Sequence, residues 1–128
     1  MAWWSKVHIF DADQYKNGSE TLVFYIDLDM IITGSLDNLC GLMGEEGFNS
    51  FATLSVNEIH CETAEEGYNS SIMLFKVKCV QHLYHTLEAY YDVIMRFLMR
   101  FDHYLEMLVW DAGLVQELCP GQLLDYCT

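Results

Sequence analysis

The most constraining feature of the sequence is a short apolar run that ends in two aspartates. Residues Thr21–Ile26 are almost all β-branched, aromatic or aliphatic, and Asp27-Leu28-Asp29 follows them directly. A run of this length and composition predicts a strand buried on both faces, as in parallel or mixed sheets that helices cover. The chain therefore has to supply further strands beside this one, and helices that pack on the sheet.

The remaining pattern is consistent with such a sheet. Further strands, or in the first case a packed extended segment, are predicted at Trp3–Phe10, Met30–Thr33, Phe51–Val56, Ser71–Val77 and, as an edge strand, Gln122–Tyr126. A short capped helical turn is predicted after Ser35, and another within Asp111–Leu118, before Pro120-Gly121. An acidic loop, Asn57 to Tyr68, separates two of the strands.

Beyond Val80 the hydrophobic period changes to that of a helix. Apolar residues recur at steps of four and three, at Leu83, Leu87, Tyr90, Ile94, Phe97, Phe101, Tyr104 and Leu108. Bulky aromatic residues at these positions favour a helix facing a core over a coiled-coil seam, although a helical dimerisation module stays an alternative. A break in the helix is expected near Phe101 to His103. Strands followed by helices predict an α/β fold, with residues 1–128 forming one domain.

Composition narrows the class of partner. The 128 residues are 52% hydrophobic and have a formal net charge of −13. Such a chain can form a core, but it repels phosphate backbones and anionic lipid surfaces, so binding to nucleic acid is not expected. The most apolar stretch, Val93–Trp110, is interrupted by charged residues and does not predict a membrane span. With no recognisable signal peptide and five scattered cysteines, the expected location is the cytoplasm.

The two aspartates have a clear chemical use at the end of a strand. Alternation along a strand would point Asp27 and Asp29 to the same side, where their charges repel each other. Carboxylate oxygens are ligands for Mg²⁺ or Mn²⁺, and ligands of α/β folds bind beyond the carboxyl ends of strands. A divalent cation would relieve the repulsion and attract a diphosphate to an otherwise repulsive protein. The alternative is a capped turn with one solvated carboxylate.

Residues Leu22–Leu39 resemble the D-x-D region of nucleotide-sugar glycosyltransferases of the GT-A fold, similar to glycosyltransferase family 8. The apolar strand, the Asp27-Leu28-Asp29 motif and the following Gly34-Ser35-Leu36-Asp37-Asn38-Leu39 match that pattern, and the Trp3-Trp4-Ser5-Lys6 opening is similar to a segment that precedes it. The resemblance implies a GT-A-like mixed sheet with flanking helices. It also implies that Asp27 and Asp29 bind Mn²⁺ or Mg²⁺, which bridges the diphosphate of a UDP- or GDP-hexose.

The resemblance implies roles for three further residues. Asn69 and Ser70 match the start of a strand that in the family lies beside the donor sugar and the acceptor, so they are expected to contact sugar hydroxyls. A polar strand entry that only turns the chain is the alternative. Asp102 falls where the family often has an acid-glutamine pair near the reacting sugar, although His103 stands in place of the glutamine. Asp102 is therefore the expected catalytic carboxylate.

The family domain begins with a nucleotide-binding β-α-β unit, whereas only 26 residues precede Asp27 here. The resemblance thus covers the middle and later part of that domain. Two functions follow as expectations. One is a hexosyltransferase that uses a nucleotide diphosphate sugar and an acceptor not identified by the sequence. The other is a catalytically silent structural subunit, with an oligomer or a partner chain covering the missing half.

Overall fold

In the described part of the chain, four strands form one mixed sheet in the order β1-β3-β2-β4. The computed structural model describes residues 2–42, 51–56, 59 and 67–123. The strands are β1 (Leu22–Ile26), β2 (Phe51–Ser55), β3 (Tyr68–Lys76) and β4 (Gly113–Leu114). β3 is antiparallel to both β1 and β2, and β4 is parallel to β2. Helices flank this sheet, so the expected α/β class with a mixed sheet is confirmed.

β1 is an edge strand and is not buried on both faces as expected. It pairs with β3 alone among the described strands, and its side chains are half-buried or exposed. Asp27 N donates to Ser71 O at 2.9 Å, and Val77 N donates to Thr21 O at 3.0 Å. Because hydrogen-bonded positions alternate in an antiparallel pair, the backbone groups of Leu22, Phe24 and Ile26 face the outer edge. The apolar side chains of β1 therefore pack on the core from an edge strand, and they do not indicate a central strand.

The described residues include four α-helices, and two hydrophobic clusters hold these helices to the sheet. The helices are α1 (Asp37–Gly41), α2 (Val77–Phe97), α3 (Phe101–Leu108) and α4 (Val115–Leu118). The larger cluster joins β3, α2 and α3 with the N-terminal segment, and the smaller one joins α1, α4 and the central strands. Tyr104, fully buried on α3, donates its hydroxyl hydrogen to Leu83 O of α2 at 2.5 Å. Within the described part of the chain, no helix is both long and apolar enough to span a membrane.

The N-terminal segment is a 3₁₀ helix, Ala2–Phe10, rather than the predicted strand. The spacing of its large apolar residues explains the difference. Trp4, Val7 and Phe10 are buried at intervals of three, which is the repeat of a 3₁₀ helix, so all three share the face against the core. Alternation with a period of two would have sent Val7 to the opposite side from Trp4 and Phe10.

Other predictions meet mixed outcomes. The strands at Phe51–Val56 and Ser71–Val77 are confirmed as β2 and β3, and the break in the long helix lies at residues 98–100, just before α3. Met30–Thr33 forms no strand; Ile31 and Ile32 are exposed and no neighbouring strand pairs with them. Gln122 and Leu123 are not in a strand, while Leu124–Tyr126 and most of the acidic loop lie outside the described residues.

The apolar stripe of the long helix is only partly a core face. Leu83, Leu87 and Ile94 are buried, whereas Tyr90 and Phe97 are exposed. The backbone of Tyr90 is non-helical, with φ −122° and ψ 26°, so the helix is kinked at this residue. Core packing therefore explains the buried residues of the stripe, on both sides of the kink and on α3, but it does not explain Tyr90 or Phe97.

Candidate functional site

The strand before the aspartates ends before either of them, whereas a shared face for both carboxylates requires a strand that continues through Asp29. β1 stops at Ile26, and Met30 N donates to Asp27 O at 3.2 Å, which closes a turn over Leu28 and Asp29. The alternation of side chains along a strand therefore does not apply to Asp27 and Asp29, contrary to the expectation from sequence. Asp27 is half-buried beside the sheet and Asp29 is exposed in the turn. Both lie at the carboxyl end of β1, as predicted.

Asp27 is the centre of a compact polar network. Lys6 Nζ lies 2.9 Å from Asp27 Oδ1 and 3.0 Å from Oδ2, and Tyr25 donates its hydroxyl hydrogen to Oδ1 at 2.6 Å. The ammonium group also lies 5.4 Å from the centre of the Tyr25 ring, within reach of a cation–π contact. The side chains of Lys6 and Asp27 are only 19% and 21% exposed, so solvent screens this pair less than an ordinary surface pair.

The network lowers the pKa of Asp27 below its ordinary value. Partial burial opposes this change, because it disfavours the charged carboxylate. Hydrogen bonds from Tyr25 and Lys6, together with the positive charge of Lys6, outweigh burial. The same arrangement raises the pKa of Tyr25, through desolvation and the adjacent carboxylates. Asp27 is therefore ionised over the whole physiological pH range.

A depressed pKa makes the contribution of Asp27 to stability depend on pH. That contribution is fully present above the unfolded-state pKa, 3.8, and is lost as pH falls through the lower folded-state value. We expect Asp27→Asn to lower the free energy of unfolding by about 2 kcal/mol near neutral pH. Urea denaturation should show the difference from the parent chain shrinking below the unfolded-state pKa. Asp92→Asn, an exposed change on α2, should stay within about 0.5 kcal/mol. A difference for Asp27→Asn that is constant with pH would contradict this assignment.

A bulge in β3 brings Ser70 to the network. Thr53 of β2 pairs with Met73, but the next residue, Leu54, pairs with Asn69, so β3 has an irregular stretch at residues 70–72. Bulges redirect side chains and are frequent beside functional sites. Here Ser70, which is 3% exposed, has its Oγ 3.2 Å from Lys6 Nζ. Ser70 is thus joined to Asp27 through the same ammonium group.

Asn69 has a different local role from that of Ser70. Its side-chain Oδ1 accepts a hydrogen bond from Ser71 N at 2.9 Å, which fixes the irregular stretch of β3. Such a local side-chain bond is typical of an Asx turn. The structure therefore places Asn69 at the entry to the site and engages its amide oxygen with the backbone.

Asp102 belongs to the same cluster although it lies on another element. It is in the first turn of α3, and its Oδ1 accepts a hydrogen bond from Ser70 N at 3.1 Å. Its Oδ2 lies 3.2 Å from a guanidinium nitrogen of Arg100. The side chain is 13% exposed, so a carboxylate with charged and backbone partners lies close to the Lys6–Asp27 pair. Ser70 is the residue that joins the two aspartates, by its hydroxyl on one side and its backbone on the other.

Sequence reasoning assigned no role to Lys6, Tyr25 or Arg100. Tyr25 could have been identified, because it lies two residues before Asp27 and so projects from the same face of the strand end. Arg100 is two residues from Asp102, and no sequence pattern indicates that it contacts that carboxyl group. Lys6 reaches Asp27 across 21 residues of sequence through the 3₁₀ helix, and no local pattern predicts that contact.

The carboxylates at the end of β1 are of the ligand type that a hard divalent cation prefers. Mg²⁺ is usually held by one or two protein carboxylates, with water and substrate phosphates completing its coordination. Asp29 is exposed and is not in an ion pair with any of the described residues, whereas Asp27 already neutralises Lys6. No cluster of three His, Cys, Asp or Glu side chains suited to a metal occurs among the described residues. Asp27 and Asp29 are therefore the carboxylates that the described residues offer at this end of β1, and metal binding stays a prediction.

A separate cleft of about 330 Å³ lies between the N-terminal 3₁₀ helix and α2. Its walls include Trp4, His8, Tyr84 and Tyr91, and none of the predicted site residues. The polar network at Asp27 is thus distinct from this cleft.

No family model matches the chain, and no curated protein or solved structure shows significant similarity to it.

Proposed function

We propose that this chain is a metal-dependent glycosyltransferase-like domain that transfers a hexose from a UDP- or GDP-sugar to an acceptor. One observation supports the proposal above the others. Asp27, Ser70 and Asp102, for which the resemblance implies roles toward the metal, the sugar and catalysis, come from three separate parts of the fold and meet in one hydrogen-bonded network. Their convergence is what a single donor site requires. The resemblance of Leu22–Leu39 to the D-x-D region supports the same function.

The proposed roles of these residues differ according to the charge that each would stabilise. Asp27 and Asp29 would hold the cation, which would offset the negative charge that develops on the departing diphosphate. The side chain of Asp102 is 13% exposed, and its carboxyl group would stabilise the positive charge that develops at the sugar carbon. Ser70 offers a hydroxyl between them, and Arg100 holds the carboxylate of Asp102 from the outer side.

Binding of nucleotide and metal together tests this function. We expect UDP or GDP to raise the melting temperature of the intact chain when Mn²⁺ is present and to have little effect without it. A ligand at about one hundred times its Kd stabilises a fold by about 2.7 kcal/mol, a shift of several degrees for a domain of this size. Asp29→Ala should abolish the shift, because it removes the exposed carboxylate without disturbing the Lys6–Asp27 pair.

The matched control for this experiment is Asp92→Ala, which removes an exposed carboxylate from α2. It should retain the full nucleotide-dependent shift. If a folded parent chain shows no shift with either nucleotide and either Mn²⁺ or Mg²⁺, the proposed function is wrong.

A second candidate is a structural subunit that derives from such a transferase. The observation in its favour is the outer edge of β1, which no described strand covers, next to the exposed apolar residues Leu28, Ile31 and Ile32. Strand edges with apolar neighbours are suited to pairing with another chain. Sedimentation of the intact chain separates the candidates: a stable assembly without nucleotide binding favours the subunit, and a monomer that binds nucleotide favours the enzyme.

A further inference from the structure

The carboxylate expected to bind the metal already has a cation of its own. Lys6 Nζ contacts both oxygens of Asp27, at 2.9 and 3.0 Å, and the Tyr25 hydroxyl takes a third position on Oδ1. Each carboxylate oxygen accepts about two hydrogen bonds, so little of the acceptor capacity of Asp27 is unused. Asp29, two residues away, is exposed and does not share in this neutralisation.

Two cations cannot occupy one carboxylate without repulsion. An ammonium group about 4 Å from a divalent ion would oppose it strongly at a site where solvent is partly excluded. Lys6 must therefore move away from Asp27, or the metal must bind less tightly than the two carboxylates alone would allow. The Lys6 ammonium has an alternative contact at Ser70 Oγ, 3.2 Å away, which would hold it near the site after displacement.

We propose that Lys6 is an internal counter-ion that competes with the divalent cation for Asp27. This inference rests on the proposed function, since it concerns the same metal site. At this site the divalent cation alone binds weakly. Tight binding requires a diphosphate, which offers the displaced Lys6 ammonium group an anionic partner. The coupling is reciprocal, so the diphosphate also binds better when the metal is present.

A titration with Mn²⁺ alone tests the competition without reference to catalysis. The intact chain, Lys6→Met and Asp29→Asn are titrated by isothermal calorimetry or by the electron paramagnetic resonance signal of free Mn²⁺. We expect Lys6→Met to bind Mn²⁺ at least about tenfold more tightly than the parent, because a competing positive charge has gone. Adding Asp29→Asn to Lys6→Met should remove that gain.

Lys76→Met is the matched control, because it makes the same change of charge on β3. Lys76 pairs with Glu20 at 3.3 Å and takes no part in the network at Asp27, so its loss should leave Mn²⁺ affinity within about twofold of the parent. Equal gains in both variants would indicate a general effect of net charge and would overturn the inference.

The remaining outcomes are also decisive. If the parent binds Mn²⁺ and Lys6→Met binds it equally or less tightly, Lys6 does not compete and the metal site itself stands. If neither binds Mn²⁺ at millimolar concentration, the inference fails, whereas the proposed function is decided separately by the thermal shift with nucleotide and metal together. If Lys6→Met does not fold by circular dichroism, Lys6→Gln replaces it, since glutamine keeps a hydrogen-bond donor toward Asp27 without the charge.

Discussion

Replacing Phe10 by alanine is expected to lower the free energy of unfolding by about 3–5 kcal/mol, the range for removing a buried aromatic ring. Phe10 has no exposed surface. Its ring is stacked on Phe101 at 6.0 Å between centroids and meets Phe75 edge-on at 5.1 Å, so it joins the N-terminal 3₁₀ helix to α3 and β3. The change also threatens the site, because the same 3₁₀ helix holds Lys6 beside Asp27.

Urea denaturation of the intact chain measures this loss. Phe97→Ala is the control, because that ring is 78% exposed and its removal should change stability by less than about 0.5 kcal/mol. Phe10→Leu should recover part of the loss by filling some of the cavity. Equal, small effects of Phe10→Ala and Phe97→Ala would mean that the N-terminal helix does not pack on the core as described.

Gly67→Ala is the second change with a large expected effect, about 2–4 kcal/mol of destabilisation. Gly67 has φ +125°, a backbone conformation that side chains other than glycine rarely adopt. A Cβ there would also overlap Glu106 Oε1 and lie 3.0 Å from Glu106 Cδ. Glu106 is held in place by Tyr68 N, which donates to its Oε1 at 3.0 Å, so the clash falls at the start of the strand that presents Ser70.

A double variant separates the two causes. Glu106→Ala removes the steric conflict, so Gly67→Ala should cost less in that background than in the parent, with the backbone strain remaining. Gly34→Ala is the matched control, because a Cβ at Gly34 would meet no atom within 4 Å. Thermal or urea unfolding of the parent and of these four variants measures the effects. A Gly67→Ala effect no larger than that of Gly34→Ala would show that the positive φ is not required.

Local patterns predicted most elements of the fold. Runs of apolar residues identified β1, β2 and β3, and the change to a period near 3.6 identified α2 and α3. The position of β1 at the edge of the sheet was not predictable. An apolar run indicates how far the side chains of a strand are buried, but it does not indicate how many strands pair with it. The 3₁₀ helix was missed because aromatic content suggested a strand, although the spacing of Trp4, Val7 and Phe10 already contained the signal.

In the candidate site, too, features that depend on neighbouring residues were predictable, whereas contacts between distant residues were not. Asp27 and Asp29 were recognisable from the strand before them, and their turn makes Asp29 the more accessible of the two. The link from Ser70 to Asp102 depends on a bulge in β3 and on the docking of α3, which are tertiary properties. The pairing of Lys6 with Asp27 likewise arises only from packing of the N-terminal helix.

The contacts of Trp4 determine when this site can form during folding. Trp4 packs on Phe101 and Tyr104, at 6.2 and 5.7 Å between ring centroids, so residues near the two ends of the described chain share one cluster. Contacts between residues so distant in sequence are slow to form, because a long loop must close first. On the ribosome, the segment that holds Lys6 has no aromatic partner in α3 until residues 101–104 have been synthesised. Docking of α3 on Trp4 is therefore a late step of folding, and it completes the packing of the helix that carries Lys6 beside Asp27.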